Sequence, residues 1–438
     1  RRNRMKVAFY TLGCKVNQYE TEAMREAFIK AGHTSVTEDA PFDAVVINSC
    51  TVTAESDRKT RQTVRRFRRE RPDAIIILTG CMVQAFSSEA QALSEADIVA
   101  GNTDVEKIVS YAEKFALDGE RIFSVSPHGK KERFNTPTLT DFAERTRAYM
   151  KIEDGCERFC TYCIIPTARG FVRSKPVEEI KAEAEKLADA GFSEIVLVGI
   201  NLTSYGKGED INLCDAVSAV CSVDGIKRVR LGSLEPDHMS DEMLKRLSEE
   251  EKFCPQFHLS LQSGCDETLK RMNRHYDTDF YRDLVLRIRK IFKNAAITTD
   301  VMVGFAAETV AAAYTVNDMY TVLLAEIIIL AVVKHCRPIV IVSGDRTSQR
   351  YRDMGEAETL AKLFRNILVA LVIYLALGYI RICGFNAEYI RGVLFIGDAN
   401  INILHKLAHY LAGFFHCPKL FAVVKVTAYL NAVFFCRL

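Results

Sequence analysis

The sequence predicts an α/β protein in which a doubly wound parallel sheet is followed by a partial (β/α) barrel of the TIM-like kind. Three observations predict this fold class. Short apolar runs rich in branched residues recur through the first hundred residues, each followed by a polar stretch suited to a helix. A second alternation of extended and helical segments begins near Ala148. The 438 residues, of which 48% are hydrophobic, suffice for several domains with large cores.

The first series contains four strand-like runs. They span residues 7–12, 44–47, 74–78 and 97–101. Because the runs are almost wholly apolar, we expect helices on both faces of each strand, and Asp104 is placed to cap the helix after the last run. Four strand-helix units in succession predict an open, doubly wound sheet. We place this N-terminal domain at residues 5–146.

The second series continues the alternation over a longer stretch. Its extended segments span residues 149–152, 194–200, 228–232, 257–261 and 297–303. Its helical segments span residues 176–190, 213–222, 241–251 and 280–292. Such a series predicts a barrel or partial barrel whose functional loops stand at the carboxyl ends of the strands. We place this domain at residues 147–309, with an extension to about 335 if the faint strand at 325–328 belongs to it.

Cys156, Cys160 and Cys163 form a C-x-x-x-C-x-x-C loop directly after the first strand of the second series. Three thiolates can hold three irons of a cubane 4Fe-4S cluster and leave the fourth iron open. Zinc is the alternative occupant. Zinc sites favour two pairs of ligands, however, and no second C-x-x-C follows at finger or ribbon spacing. The loop therefore predicts an iron-sulfur cluster in preference to zinc.

Cys14, Cys50 and Cys81 each stand just past the carboxyl end of a predicted strand in the first series. In a parallel sheet those ends lie along one edge, so three thiols far apart in sequence can meet there. The alternative is that small cysteines merely pack well at strand ends. Their common register favours a second three-cysteine iron-sulfur site.

Arginines are concentrated in residues 58–69, although the net charge of the whole chain is only +2. The near balance excludes a general polyelectrolyte attraction to nucleic acid, so RNA binding requires a local patch. At helical spacing one face would carry Arg58, Arg61, Arg65 and either Arg68 or Arg69. Such a face could follow a phosphate backbone. A solvated helix surface is an equal alternative.

The fourteen cysteines are scattered through a large chain that starts without an apolar leader, which favours a reducing cytoplasm over a disulfide-rich secreted protein. The longest apolar stretch, residues 367–377, is too short for a membrane span. We expect no stable membrane partner.

Four motifs together carry a family resemblance. They are Leu12-Gly13-Cys14-Lys15-Val16-Asn17, Asn48-Ser49-Cys50-Thr51-Val52-Thr53, Thr79-Gly80-Cys81 and the cysteine loop at residues 154–166. Over residues 5 to about 305 the chain resembles the radical S-adenosylmethionine (SAM) methylthiotransferases. Its Lys15-Val16-Asn17 version of the first motif resembles the subgroup that modifies N6-threonylcarbamoyladenosine beside the tRNA anticodon. Subgroups that act on isopentenyladenosine in tRNA or on a ribosomal protein are the alternatives.

The resemblance implies an N-terminal methylthiotransferase domain, a TIM-like radical SAM barrel, two 4Fe-4S clusters and S-adenosyl-L-methionine. The Cys156, Cys160 and Cys163 cluster would bind SAM and cleave it to a radical that removes hydrogen from carbon 2 of the adenine. The Cys14, Cys50 and Cys81 cluster would present the sulfur that is then methylated. The implied partners are the tRNA anticodon loop, a flavodoxin- or ferredoxin-like electron donor and a sulfur source.

Motif positions imply four further residues at the SAM site. Gly199 lies in a segment that runs near the methionine end of the cofactor, and Tyr162 packs toward its adenine. Glu235 and Gln262 follow the next two strands that line the cavity. A purely structural packing role is the alternative for each.

The resemblance ends after residue 305. Where the family has Gly-Phe-Pro-Gly-Glu-Thr, this chain reads Gly304-Phe305-Ala306-Ala307-Glu308-Thr309. Residues 336–438 form an aberrant apolar tail in place of the small basic RNA-binding domain, called TRAM, that the family carries. A reading-frame shift is the favoured interpretation because the tail lacks helix or strand periodicity, and it would leave an inactive copy with RNA-binding capacity alone. A diverged or membrane-associated terminus is the alternative.

Overall fold

The computed structural model of the protein describes residues 4–130, 132–135, 138–139, 146–302 and 304–309. All of these residues belong to one unit of the chain. The tail predicted at 336–438 and the strand predicted at 325–328 lie outside the described residues. The predicted domain boundary near residue 146 stays a prediction.

Residues 6–124 contain a parallel sheet of six strands. In chain order these are β1 (Lys6–Thr11), β2 (Thr34–Val36), β3 (Ala44–Ser49), β4 (Ile75–Gly80), β5 (Ile98–Ala100) and β6 (Ile122–Ser124). They pair in the order β2-β1-β3-β4-β5-β6, and each pairing is parallel. The strand order reverses at β1, so the loops after β1 and β3 flank the crevice in which doubly wound sheets bind ligands.

Helices cover both faces of this sheet. In chain order they are α1 (Lys15–Lys30), α2 (Ala54–Glu70), α3 (Cys81–Ala85), α4 (Ser87–Gln91) and α5 (Ile108–Asp118). Ile47 of β3 joins a core cluster with Phe67 of α2. Its neighbour Val46 joins a different cluster, with Phe28 of α1. Because successive strand residues point to opposite faces, the fully buried β3 contributes to two cores. The predicted doubly wound sheet is confirmed.

Residues 148–298 form the wall of a partial barrel. Its strands are β7 (Ala148–Lys151), β8 (Glu153–Asp154), β9 (Arg173–Ser174), β10 (Glu194–Val198), β11 (Arg228–Leu231), β12 (Ser233–Leu234), β13 (Gln256–Leu259) and β14 (Ala296–Thr298). β10 lies between β7 and β11, and β13 lies between β12 and β14, with parallel pairing throughout. Gly232 alone separates β11 from β12. The predicted TIM-like partial barrel is confirmed.

Helices alternate with the barrel strands. They are α6 (Ile165–Arg169), α7 (Val177–Asp189), α8 (Leu213–Cys221), α9 (Asp241–Ser248), α10 (Asp266–Arg271) and α11 (Thr278–Ile291). Side-chain caps fix where several of them begin: Ser240 accepts from the N–H of Met243, and Asp277 accepts from the N–H of Phe280. Within the described residues, no helix has both the length and the apolar composition needed to cross a membrane.

Helix α1 is buried on two sides. Met24 and Phe28 pack into the core of the first sheet. Val16, Tyr19 and Ala23 belong instead to the large core that contains β7 and β10. The first turn of α1 therefore lies between the end of strand β1 and the start of the barrel. Through α1, the six-stranded sheet packs against the barrel.

The cysteine loop of the barrel is closed at its base by the antiparallel pair β8 and β9. Glu153 pairs with Ser174, and Asp154 pairs with Arg173. Gly155 begins the loop with a φ of 89°, and a Cβ there would collide with the backbone carbonyl of Phe171. The pairing and the glycine together hold residues 156–172 as a closed loop above the barrel strands.

Candidate active site

The first cysteine triad lies along the carboxyl edge of the six-stranded sheet. Cys14 caps α1, Cys50 follows β3 and Cys81 opens α3 after β4. The side-chain oxygen of Asn17 lies 3.7 Å from Sγ of Cys14 and 3.9 Å from Sγ of Cys81. Gly13 has a φ of 110°, and a Cβ added to it would lie 3.1 Å from Sγ of Cys50. Asn17 and Gly13 thus place the three predicted residues as neighbours along this edge.

The three thiols do not form a site for a single metal ion among the described residues. Within the part of the chain that is described, no three His, Cys, Asp or Glu side chains lie close enough to hold one ion. A cubane needs a wider arrangement, because each thiolate binds a separate iron. Burial raises the pKa of Cys81 to about 12, and Arg169 works against this rise. A bound cation would displace the thiol proton, since metal ligands bind deprotonated.

Arg169 reaches the triad from the barrel. It ends α6, a short helix within the closed cysteine loop of residues 156–172, and it is fully buried. Its Nε donates to Sγ of Cys81 at 3.2 Å, and its Nη2 donates to the side-chain oxygen of Asn17 at 2.8 Å. Nη2 also lies 3.0 Å from Glu20, whose other oxygen accepts from Nη1. One guanidinium thus touches a cysteine, an amide and a carboxylate of the N-terminal domain.

A buried ionic network extends from Arg169 into the barrel. Nζ of Lys151 lies 2.7 Å from Glu20 and 2.7 Å from Asp154, and Arg173 lies 3.2 Å from Asp154. Burial works to raise the pKa of Asp154, but the cations of Lys151 and Arg169 hold it well below its usual range. Asp154 lies two residues before Cys156, so the network reaches the start of the cysteine loop.

The second triad sits in the loop above the barrel. The backbone N–H of Cys163 donates to the carbonyl of Cys160 at 2.9 Å, and that of Cys156 donates to Gly170 at 3.0 Å. Burial raises the pKa of Cys156 to about 12. Phe159, between the first two cysteines, has a φ of 50°, and Asn273 holds this turn by donating to its carbonyl at 3.1 Å.

A second arginine touches this triad. Nη1 of Arg274 donates to Sγ of Cys160 at 3.3 Å, and Nη2 lies 2.5 Å from Glu235. Glu235 is 9% exposed and also lies 3.6 Å from Arg158. Burial raises the pKa of Glu235, although both arginines oppose this. The predicted Glu235 therefore lies beside the cysteine loop.

Tyr162 lies in the same region. Its ring meets that of Phe305 edge to face, with 6.2 Å between centroids, and burial raises its pKa well above the usual range. The ring stands between Cys160 and Cys163 in sequence and borders the same charged groups, Glu235 and Arg274. This placement agrees with the adenine-packing role that the resemblance implies, and that role stays a prediction.

The other two SAM-site candidates occupy neighbouring strand ends. Gly199 follows β10, and a Cβ added to it would lie 2.5 Å from Oε2 of Glu153. Gln262, beyond β13, has a φ of 69° and donates its backbone N–H to Asp300 at 2.9 Å. Both positions lie on the rim where parallel barrel strands present their functional loops. Contact with SAM stays a prediction for both.

The arginine face of α2 is engaged in ion pairs. The pairs are Arg58 with Glu55, Arg61 with Glu89, Arg65 with Glu95 and Arg68 with Asp97. Arg69 is exposed, and the described residues provide it with no acidic partner. Phosphate contacts would compete with these surface ion pairs, which are individually weak. RNA binding by this face stays a prediction.

Four residues of the site were not among the sequence candidates: Asn17, Glu20, Arg169 and Arg274. Asn17 lies in the first of the four motifs, but the sequence alone indicates no role for it. Arg169 could have been found from the sequence, because a charged residue within the mostly apolar segment after Cys163 needs a buried partner. Glu20 and Arg274 gave no comparable local signal.

Comparison with known proteins identifies the family. Residues 6–101 match the family described as Uncharacterized protein family UPF0004, and residues 150–319 match the Radical SAM superfamily. Over 305 residues the chain is 41% identical to the threonylcarbamoyladenosine tRNA methylthiotransferase MtaB of Bacillus subtilis (strain 168), covering 69% of this chain and 68% of that relative. The chain belongs to the radical SAM methylthiotransferase family. Radical SAM methylthiotransferases use two 4Fe-4S clusters and SAM.

Further relatives fall on two substrate branches of the methylthiotransferase family. The MtaB of Thermotoga maritima is 39% identical over 304 residues, covering 69% of each chain. A tRNA-2-methylthio-N(6)-dimethylallyladenosine synthase of Clostridium botulinum (strain Loch Maree / Type A3) is 32% identical over 308 residues, covering 68% of each chain.

The solved structure of the radical SAM methyltransferase TsrM from Kitasatospora setae aligns with a TM-score of 0.53 at 14% identity. The alignment covers 72% of this chain and 71% of TsrM. At this identity the likeness concerns the fold alone, and it supports a barrel preceded by an α/β domain.

Proposed function

We propose that this protein adds a methylthio group to carbon 2 of N6-threonylcarbamoyladenosine beside the anticodon of tRNA. The observation that carries the proposal is that each of two separate cysteine triads has one sulfur that accepts a hydrogen bond from a carboxylate-paired arginine, Arg169 at Cys81 and Arg274 at Cys160. The MtaB relatives, at 35–41% identity, favour this substrate over the dimethylallyladenosine branch at 32%.

Each triad has an assigned role in this proposal. Cys156, Cys160 and Cys163 hold the cluster at which SAM binds, and Cys14, Cys50 and Cys81 hold the cluster from which sulfur is delivered. When bound, these groups supply the radical that activates the adenine carbon and the sulfur that replaces its hydrogen. The protein's own contribution is to fix both sites and the base at reacting distance.

The remaining candidates position SAM within the barrel. The carboxylate of Glu235, held by Arg274 and Arg158, presents an acceptor next to the cysteine loop. Gly199 keeps the path along β10 open, because any side chain there would displace the buried Glu153. Gln262 and Tyr162 border the same rim from β13 and from the cysteine loop. Glu235 is buried, and Gly199, Tyr162 and Gln262 are partly buried, which limits the access of water to the reacting centre.

The substrate base has to leave the stack of the anticodon loop, which costs less in a single strand than in a duplex. The arginine face of α2, with Arg69 as its unpaired member among the described residues, is the proposed contact to the tRNA backbone. We further propose a flavodoxin- or ferredoxin-like electron donor, a separate sulfur source and a cytoplasmic location. The ten described cysteines are all free thiols, which suits a reducing compartment.

Two triple variants test the assignment of the clusters. One replaces Cys14, Cys50 and Cys81 by Ala, and the other replaces Cys156, Cys160 and Cys163 by Ala. After anaerobic reconstitution we expect about eight irons per parental chain and about four in each variant, by the thiolate-ligation rule. Formation of 5′-deoxyadenosine should survive in the first variant and vanish in the second. Zinc in place of iron, or cleavage of SAM that needs all six cysteines, would contradict the proposal.

Nucleoside analysis tests the substrate. Transfer RNA from cells lacking the gene should lose 2-methylthio-N6-threonylcarbamoyladenosine and regain it when the full chain is supplied. Loss of the dimethylallyladenosine product instead would assign the chain to the other branch. Failure of the full chain to restore either product, while its clusters assemble, would identify an inactive copy, as the frame-shift interpretation of residues 336–438 expects.

A further inference from the structure

The buried arginine at the end of α6 belongs in sequence to one cysteine site and in space to the other. Arg169 stands six residues after Cys163, yet its Nε–H points at Sγ of Cys81, 88 positions earlier in the chain. Its exposed fraction is zero. A long cationic side chain is buried this completely only when specific partners compensate for the lost water.

Those partners fix the guanidinium from three sides. Glu20 accepts from both Nη atoms, and Asn17 accepts from Nη2. Asn17 is itself anchored, because its amide donates to the carbonyls of Leu12 and Ser49 at 2.9 Å each. The Nε–H is thereby left for the sulfur of Cys81. The rigid planar fork of an arginine can satisfy these three partners at once, whereas a lysine ammonium cannot match that geometry.

The same arrangement recurs at the other triad. Arg274 donates from Nη1 to Sγ of Cys160 while Glu235 holds its Nη2. Each triad therefore has one cysteine sulfur that accepts from a buried, carboxylate-held arginine. Hydrogen bonds to cluster sulfurs and nearby positive charge both favour the reduced, more negative state of an iron-sulfur cluster.

We propose that Arg169 is a positioning residue of the N-terminal triad, supplied by the cysteine loop of the barrel, and that its N–H bond to the Cys81 sulfur raises the reduction potential of the cluster held there. The inference rests on the proposed assignment of the two triads. It gives the barrel loop a second role, because the loop that carries one cluster also completes the ligand environment of the other.

The test isolates the N-terminal cluster and changes the arginine. The background chain carries Cys156→Ala, Cys160→Ala and Cys163→Ala, so the cluster that remains after reconstitution belongs to the first triad. Arg169→Lys keeps the charge and loses the fork, and its midpoint potential is measured by dithionite titration followed by electron paramagnetic resonance. We expect the midpoint to shift to a more negative value than in the background chain, with weaker retention of iron during gel filtration.

Arg173→Lys is the matched control. Arg173 belongs to the same network and pairs with Asp154 at 3.2 Å. Among the described residues, its guanidinium contacts only oxygen atoms and no sulfur. This variant should leave the midpoint unchanged. An unchanged midpoint and unchanged iron content in Arg169→Lys, or an equal shift in Arg173→Lys, overturns the inference.

Glu20→Gln covers the case in which Arg169→Lys fails to fold. The amide keeps the shape of the side chain but removes the negative charge that offsets Arg169, so the midpoint should shift to a more positive value. An unchanged or more negative midpoint in this variant overturns the inference. If the background chain itself binds no iron, the proposed function is wrong for the first triad. If a cluster forms but its midpoint potential does not change in Arg169→Lys, only the positioning role of Arg169 is refuted.

Discussion

Glu153 should make the protein less stable as the pH rises through the neutral range. The side chain is fully buried directly before the cysteine loop. One carboxyl oxygen accepts from the backbone N–H of Asn201 at 2.7 Å, and the other has no hydrogen-bond partner among the described residues. Burial, followed by the neighbouring charge of Asp154, raises the pKa of Glu153 from 4.5 to about 8.

The sign and size of the effect follow from this pKa. In the unfolded chain the carboxyl releases its proton near pH 4.5, whereas in the folded protein it keeps the proton until about pH 8. The folded state therefore binds the extra proton, and stability falls as the pH rises between these two values. A displacement of this size corresponds to about 5 kcal/mol, all of it lost by pH 8 and none of it below pH 4.5.

Glu153→Gln removes the titration but keeps a carbonyl oxygen for the Asn201 N–H. Urea unfolding of the metal-free chain, followed by circular dichroism from pH 5 to pH 8, should show the variant gaining stability over the parent as the pH rises. Glu157→Gln is the control, since the hydrogen bond from Lys207 lowers the pKa of Glu157 and places its titration below this range. Parallel pH dependences of parent and Glu153→Gln would refute the reasoning.

Three further predictions concern packing, a buried ion pair and RNA contact. Gly199→Ala places a methyl group 2.5 Å from Oε2 of Glu153. The variant should lower the free energy of unfolding by about 1–3 kcal/mol in urea and should bind SAM more weakly in calorimetry. Unchanged stability together with unchanged SAM binding would contradict the contact. Lys175→Met removes the cation that pairs with the buried Glu183, which still accepts from the Tyr19 hydroxyl at 2.8 Å, and should cost about 3–5 kcal/mol. Adding Glu183→Gln removes the unpaired charge but keeps an oxygen for Tyr19, so it should recover part of the loss, and a double variant as unstable as the single one would exclude this cause. Arg69→Gln should lower the salt slope of tRNA binding by about one in filter-binding assays, and an unchanged slope would remove α2 from the RNA interface.

The long apolar strands were predictable from the sequence. The predicted runs at 44–47 and 74–78 overlap β3 and β4. A short run of branched apolar residues indicates a parallel strand that is covered on both faces. The edge strands β2 and β6 were not predicted. Each has three residues and includes polar or exposed positions, so neither shows a periodic pattern.

The parts of the site that were predictable are those that follow from the spacing of cysteines along the sequence. The cysteine loop is local, and the strand-end cysteines follow from the geometry of a parallel sheet. The bond between Arg169 and Cys81 joins residues on different domains, and no local periodicity reports such a pair. Glu20 appears in the sequence as an ordinary charged helix residue, and only the packing of α1 between two cores shows that it is buried. The missed residues are thus those whose partners are distant in sequence.

The position of Arg169 has a consequence for biosynthesis. Cys14, Cys50 and Cys81 leave the ribosome long before the segment that carries Arg169, so a nascent N-terminal domain presents its thiols without the guanidinium that later covers Cys81. During that interval the three thiols are open to oxidants and to competing soft metals such as zinc. The contacts of Arg169 with Cys81, Asn17 and Glu20 can form only after the barrel's first loop has been translated, so a chain stalled before that point would leave the Cys81 thiol without its buried cation.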